Sequence, residues 1–166
     1  MKKIIVIGCP GSGKSYLSKE ISNILNIPCF HIDNLYWTKD KQHITREELI
    51  DKYQEVFSQD EYVLDGNYIS TISERLKNAN TVIFLDFSLE DCINGIRKRN
   101  NKVRDDIPWI QTETDGDELI DWIRTFEERE KVEIVRMLEE YKGTIITLKN
   151  KEEVSNYLEK LKSNAR

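Results

Sequence analysis

The sequence predicts an α/β domain, a parallel sheet with helices on both faces, and three observations predict it. Strand-like apolar runs alternate with helix-period segments along the whole chain. The first run, Ile4-Ile5-Val6-Ile7, is apolar at consecutive positions, as a strand buried on both faces must be. That run breaks directly into a glycine-rich turn, Gly8 to Ser15, which opens a helix. At 166 residues a single domain, 1–166, is expected. A chain of this size buries about two thirds of the surface it exposes when unfolded.

The turn meets the pattern G-x-x-x-x-G-K-[ST] with Gly8, Gly13, Lys14 and Ser15. Without a Cβ, the loop backbone can approach a phosphate closely enough for its N–H groups to point at it. Lys14, expected to be exposed, supplies a point charge near the β- and γ-phosphates, and Ser15 offers a hydroxyl to Mg²⁺. The helix that begins here aims its free N–H groups at the same anion. The candidate nucleotide-binding residues are therefore Gly8, Cys9, Pro10, Gly11, Ser12, Gly13, Lys14, Ser15 and Tyr16. The expected ligand is a nucleoside triphosphate.

Composition narrows the classes. Hydrophobic residues make up 39% and charged residues 33%, and no apolar run approaches the ~20 residues of a membrane span. The N-terminus enters the strand at once, with no signal-peptide pattern, so a cytoplasmic location is expected. The net charge of −5 speaks against nucleic acid as a partner, since only Arg97 to Arg104 is locally basic. Cys9, Cys29 and Cys92 are odd in number and far apart, fitting neither a disulfide framework nor a zinc site. Positive charge near Cys9 is expected to lower its pKa, which would make oxidation a block to nucleotide binding.

The remaining elements follow in order. The first helix carries Leu17, Ile21, Ile24 and Leu25 and fades near Asn26. Pro28 to Ile32 gives a short second strand that ends at Asp33. Asn34 to Trp37 follow as a loop, read either as packing or as the wall of an acceptor pocket. Thr45 and Glu48 form a capping box, with Ile44 and Leu49 as its hydrophobic staple, for a helix buried on Leu49, Ile50, Tyr53, Val56 and Phe57. Tyr62 to Leu64 is a third strand delivering Asp65 and Gly66, and Ile69, Ile72 and Leu76 suggest a short helix. Thr81 to Phe87 is the fourth strand, after which Ser88 caps a helix ending in Arg97, Lys98 and Arg99. Residues 100–116 lack usable periodicity and read as a mobile lid. From Asp115 one long helix is expected to about Tyr141, on Leu119, Ile120, Ile123, Val135 and Leu138. Thr144 to Leu148 is the fifth strand, and a last helix begins at Asn150.

These residues resemble the nucleoside-monophosphate-kinase branch of the P-loop kinases, and within it the DNA topology modulation proteins. The likeness is carried by the phosphate loop, HIDNLYW at 31–37, LDGNY at 64–68, the fourth strand and the basic helix end before the lid. It implies a three-layer P-loop NTPase fold with a five-stranded parallel sheet in the order 2-3-1-4-5, ATP as donor, Mg²⁺, and lid arginines that close over the phosphates. On this likeness Asp65 steadies Mg²⁺ together with Ser15, with Asp86 as the rival carboxylate, and Arg99 and Arg104 reach the transferring phosphoryl group. Arg129 is a further arginine able to return to the site. For each arginine a solvated, structural place is the alternative.

Three departures from that pattern carry information. Gly95 stands where an arginine stacks on adenine in adenylate kinase-like enzymes. Asn67, Tyr68 and Ile69 replace the Phe-Pro-Arg whose arginine grips an acceptor phosphate, and the next arginine is Arg75. An acceptor arginine expected soon after the second strand is also missing, with only Lys39 nearby. Asp33 instead resembles the carboxylate that small-molecule P-loop kinases point at an acceptor hydroxyl. The expected activity is thus adenylate-kinase-like transfer of the γ-phosphoryl group of ATP to a small molecule, through Lys14, Asp33, Arg99 and Arg104, by a monomer or dimer. A true nucleoside monophosphate kinase, and a nucleotide-binding regulator of DNA topology without kinase activity, are the alternatives.

Overall fold

In the computed structural model, which describes residues 2–165, β1 (Lys3–Gly8) runs through the middle of a five-stranded sheet of order β2-β3-β1-β4-β5. Every pairing is parallel: β1 with β3 (Tyr62–Asp65) and β4 (Thr81–Leu85), β3 with β2 (Cys29–His31), and β4 with β5 (Thr144–Leu148). The register sets Ile5 beside both Leu64 and Val82, so apolar side chains are continuous across the three central strands. Ile4 to Ile7 are 0% exposed. Burying each such side chain is worth about 1.5–3 kcal/mol, which is why this run must be the central strand. Helices cover both faces.

The local signals for helix starts hold. Thr45 and Glu48 form the capping box of α3 (Arg46–Phe57), Ser88 caps α5 (Leu89–Arg99), and Asn150 caps α8 (Lys151–Asn164). α1 (Lys14–Leu25) ends on Asn26 in the left-handed region, a conformation that asparagine tolerates. α4 (Ile72–Asn78) follows a 3-10 turn at Ile69–Thr71.

Three expectations need correction. The second strand stops at His31, and Asp33 lies in the first turn of a short helix, α2 (Ile32–Tyr36), rather than at a strand end. The fourth strand stops at Leu85, although the Asp86 amide still donates to the Leu148 carbonyl. The long helix is two helices, α6 (Glu113–Ile123) and α7 (Glu130–Glu140). Thr112 is the cap residue of α6, with Asp115 at the third helical position of a second capping box. Between the two helices Lys131 N–H bonds the Phe126 carbonyl, five residues back, and Arg129 leaves helical geometry at φ −114°, ψ −82°. This wide turn rotates α7, so Ile134 is buried while Val135 is 41% exposed.

Because β1 lies between β3 and β4, the chain leaves it on opposite sides, and a crevice forms at the carboxyl ends of the central strands. Residues 100–112 hold neither strand nor helix and lie against that crevice. Asn34 Nδ2 donates to the Asp105 carbonyl at 2.6 Å, Lys19 pairs with the Asp105 carboxylate, and Lys41 meets Asp115 at 2.5 Å. Among the described residues no helix is long and apolar enough to cross a membrane.

Candidate functional site

The loop from Gly8 to Ser15 bends at the carboxyl end of β1, closed by a hydrogen bond from the Ser12 amide to the Cys9 carbonyl at 3.1 Å. Its backbone lies directly on the backbone of α5. A Cβ on Gly11, whose φ is +87°, would sit 2.0 Å from the Cys92 carbonyl oxygen, and one on Gly95 would sit 2.0 Å from the Gly11 oxygen. The glycine at the expected adenine-stacking position is therefore where the loop seats on the helix, and no side chain fits there. Asn67 Oδ1 holds the start of the loop by accepting from Gly8 N–H at 2.9 Å.

Lys14 is half-buried rather than exposed. Its Nζ donates to the Gly8 and Cys9 carbonyls at 2.9 and 3.2 Å, and burial lowers its pKa against the opposing pull of Asp65. Cys9 also departs from expectation. It is 3% exposed, and its hydrogen bond with Cys92, together with burial, pushes its pKa up, so it is a buried thiol rather than a reactive thiolate.

Asp33 is held by a relay. The Trp37 indole N–H donates to the Tyr68 hydroxyl at 2.7 Å, and that hydroxyl donates to Asp33 Oδ1 at 2.6 Å. Burial raises the pKa of Asp33, while the Tyr68 bond pulls the other way; burial and the Asp33 charge both keep the Tyr68 phenol protonated. Tyr68 adopts φ 35°, ψ 69°, an uncommon conformation for a tyrosine. The clamp is Arg75, which is 0% exposed and donates to the Gly66 carbonyl at 2.6 Å, the Tyr68 carbonyl at 3.0 Å, and the Asn67 carbonyl. Sequence reasoning missed Asn67, Tyr68 and Arg75 in these roles. The available signal was LDGNY itself, a non-repetitive loop whose buried carbonyls need donors.

A cavity of about 820 Å³ joins these parts. Gly11, Gly13, Lys14, Ser15 and Tyr16 line it from the phosphate loop, and Asp33, Asp65, Arg99 and Arg104 line it from the other elements, so the expected catalytic and metal residues converge. Arg99 has no carboxylate partner among the described residues, its Nε is buried without a partner, and burial followed by the neighbouring Arg104 lowers its pKa to about 10. Arg104 is paired with Asp106. Arg129 does not itself line the cavity: it lies 5.9 Å from the Trp122 ring and 3.7 Å from Glu130. Asp86 is likewise outside, paired with Lys131 at 2.8 Å.

Asp65 accepts from His31 Nδ1 at 2.6 Å, with Cys29 Sγ 3.9 Å from the other ring nitrogen. Burial alone would lower the His31 pKa, but these two hydrogen bonds raise it to about 10. Asp106, 4% exposed, lies close enough to the Ser15 hydroxyl for it to help lower the carboxyl's pKa, and was not anticipated. Nor was Glu130, which the break before α7 brings to the cavity with Oε2 buried and unpartnered. The donors around Ser15 (its hydroxyl, Asp33, Asp65 and Asp106) are hard oxygens, and such a set fits Mg²⁺.

The family model described as "Chromatin associated protein KTI12" matches residues 1–98. The chain belongs to the KTI12 family. The match covers the phosphate loop, the Asp33–Tyr68 relay, Arg75 and α5 up to Lys98 of this KTI12-family protein. No curated protein matches it in sequence. Among solved structures it is similar to a shikimate kinase from Bacteroides thetaiotaomicron, with TM-score 0.59 and 17% identity over 97% of this chain and 96% of that one. A shikimate kinase from Acinetobacter baumannii in complex with shikimate gives 0.57 and 17% over 97% and 90%. A gluconokinase from Sinorhizobium meliloti gives 0.59 and 16% over 98% and 94%. At such identities the likeness shows the fold, a P-loop kinase-like three-layer sheet.

Proposed function

We propose that this KTI12-family protein transfers the γ-phosphoryl group of ATP, with Mg²⁺, to a hydroxyl of a small-molecule acceptor. The observation that carries the reading is one cavity holding both the Gly8–Ser15 loop and a half-buried carboxylate, Asp33, fixed in orientation by Tyr68. The kinases among its structural neighbours support the same class of chemistry, and one of them is bound to shikimate, a hydroxyl compound.

The loop amides and the Ser12 hydroxyl, buried without a partner, receive the β- and γ-phosphates. Lys14 moves from the Gly8 and Cys9 carbonyls to the phosphate oxygens, exchanging neutral acceptors for charged ones. Ser15 and Asp65 would hold Mg²⁺, which would supply positive charge to offset the negative charge of the transferring phosphoryl group. Asp33 accepts the proton of the acceptor hydroxyl as that oxygen bonds to Pγ and the bond from Pγ to the β–γ bridging oxygen breaks, leaving ADP; the proton then passes to solvent. A base whose pKa is raised by burial suits that role. Arg99 faces the charge spreading over the γ-oxygens, and Arg104 joins it by exchanging Asp106 for phosphate.

The test is ADP release across a panel of hydroxyl compounds with Mg·ATP, for the wild type and Lys14→Ala. Transfer is expected to fall at least a hundredfold in the variant, the consequence of losing a charge clamp on a transferring phosphoryl group. Stability should change by only about 1 kcal/mol, since Lys14 leaves two backbone carbonyls behind. Silence across the panel, or equal modest falls in activity and melting temperature, would sink the reading.

A true monophosphate kinase is less well supported, because Arg75 is spent on loop carbonyls. A nucleotide-binding regulator that acts on DNA draws on the family's description as chromatin associated and on the likeness to DNA topology modulation proteins. The net charge of −5 argues against it, and DNA affinity that fails to appear at low salt would dispose of it.

A further inference from the structure

We infer that the acceptor is a hydroxyl compound with a flat ring and no acidic group, the chemistry of a nucleoside rather than of a phosphate ester or hydroxycarboxylate. This rests on the phosphotransfer reading above and specifies the acceptor half of the same cavity.

Charge in the cavity disfavours an acidic acceptor. Of the cations that line the cavity, Lys19 is held by Asp105, and Arg104, paired with Asp106, is given to the donor's γ-phosphate in the reading above. Lys14 and Arg99 interact electrostatically with Asp33, but they also lie against the phosphate loop, where the donor's phosphates need them. Arg75, the next arginine after the place of the expected acceptor arginine, is fully buried behind the loop with its guanidinium on carbonyls, and it does not line the cavity. Lys41 is on Asp115, and Lys39 is outside the lining. Asp33 itself sits within electrostatic range of Asp65 and Asp106. An acidic group on the acceptor would meet these carboxylates with no uncommitted cation among the described residues that line the cavity. One uncompensated like charge about 6 Å away, at an effective dielectric near 20, weakens binding on the order of a hundredfold.

The shape and polarity of the cavity wall favour a flat ring. All three tryptophans of the chain, Trp37, Trp109 and Trp122, line the cavity, together with Tyr68, Ile69 and Ile107. Trp37 and Trp109 meet edge to face, with centroids 5.7 Å apart, on the side of the cavity that carries Asp33 through Tyr68. The Trp37 N–H is already used on Tyr68, so this side chain has only ring surface left to offer a ligand. A flat ring laid on such side chains gains on the order of tenfold or more in affinity. Asn67 Nδ2 also lines this wall, buried and unpartnered, a donor suited to a ring carbonyl or a hydroxyl.

The experiment uses the full chain saturated with Mg²⁺ and a non-hydrolysable ATP analogue, so that the donor site is filled. Uridine, thymidine, adenosine and guanosine are titrated alongside their 5′-monophosphates, shikimate and gluconate, with tryptophan fluorescence and calorimetry as readouts. At least one nucleoside should quench the fluorescence and bind at least tenfold more tightly than its own monophosphate. Trp109→Leu, shown to be folded by its melting curve, should lose at least tenfold of that affinity. Tighter binding of any monophosphate or hydroxycarboxylate than of every nucleoside, or no nucleoside binding up to about 10 mM, would overturn the assignment. Failure of the ATP analogue to bind would instead end the phosphotransfer reading, so the two failures are distinguishable.

Discussion

Gly95→Ala separates two opposed forces on one methyl group. In an ordinary helix interior the change stabilises by about 0.5–1 kcal/mol, because alanine loses less backbone freedom on folding. Here the added Cβ would lie 2.0 Å from the Gly11 carbonyl oxygen and 2.9 Å from its carbon, both backbone atoms of the phosphate loop that cannot rotate aside. Relief requires α5 and the loop to move apart, an overpacking cost of about 3 kcal/mol. The net is a loss of about 2 kcal/mol, which in a domain of this size lowers the melting temperature by about 4–8 °C. Because the displaced atoms belong to the anion cradle, Mg·ATP affinity should fall with the melting temperature. Calorimetric melting and ATP titration of Gly95→Ala, beside Asn94→Ala at an exposed position on the same helix, make the measurement. A Gly95→Ala protein that melts higher, like an ordinary helix substitution, and binds ATP unchanged would refute the claim that the loop rests on α5.

Two further outcomes follow from charge. Removing the hydroxyl in Tyr68→Phe takes away the bond that opposes the burial-driven rise of the Asp33 pKa. The acid limb of the pH–kcat/KM profile should therefore move to higher pH, and an unmoved or lowered limb would show that Tyr68 does not act through Asp33. His31, with a folded pKa of about 10 against an ordinary value of 6.5, contributes stability that is complete below about pH 6.5 and is lost as pH rises through 10. Urea unfolding of wild type and His31→Gln at pH 6, 8 and 10 should show a stability gap that narrows with pH, and a constant gap would contradict the pairing with Asp65.

What was legible in the sequence is what local chemistry decides. Ile4 to Ile7 can be nothing but a buried strand, the glycines after it fix the loop, and Thr45, Ser88 and Asn150 mark helix starts through side-chain bonds to amides three residues on. The strand order came from resemblance, since no local pattern says which parallel strands are neighbours. Where the reading failed, a distant contact decided the matter. The break at Arg129 has no glycine or proline to announce it, and the stripe of Ile120, Ile123 and Leu138 suits one helix as well as two. Cys9 was judged by the charge of its neighbour Lys14, whereas Cys92, far along the chain, sets its protonation. Asp106 lay in a segment without periodicity, and only the folded chain brings it to Ser15.

The loop after β3 shows how one sequence change entails another. A Phe-Pro-Arg segment would bring a proline that fixes φ and an arginine free to face an acceptor phosphate. Asn67-Tyr68-Ile69 has neither, and its tyrosine takes a left-handed conformation that costs about 1–3 kcal/mol. That conformation persists because Arg75 ties the carbonyls on either side of it, and charged hydrogen bonds of about 1.5–3 kcal/mol each more than offset the strain. A guanidinium so engaged, fully buried behind the loop and outside the cavity lining, cannot turn to a ligand. The clamp that lets the Tyr68 hydroxyl reach Asp33 is thus the same group whose commitment removes phosphate recognition from this wall. On the proposed reading, a loop built to orient a carboxylate selects its acceptor by a hydroxyl and a ring, because its nearest following arginine is holding the loop.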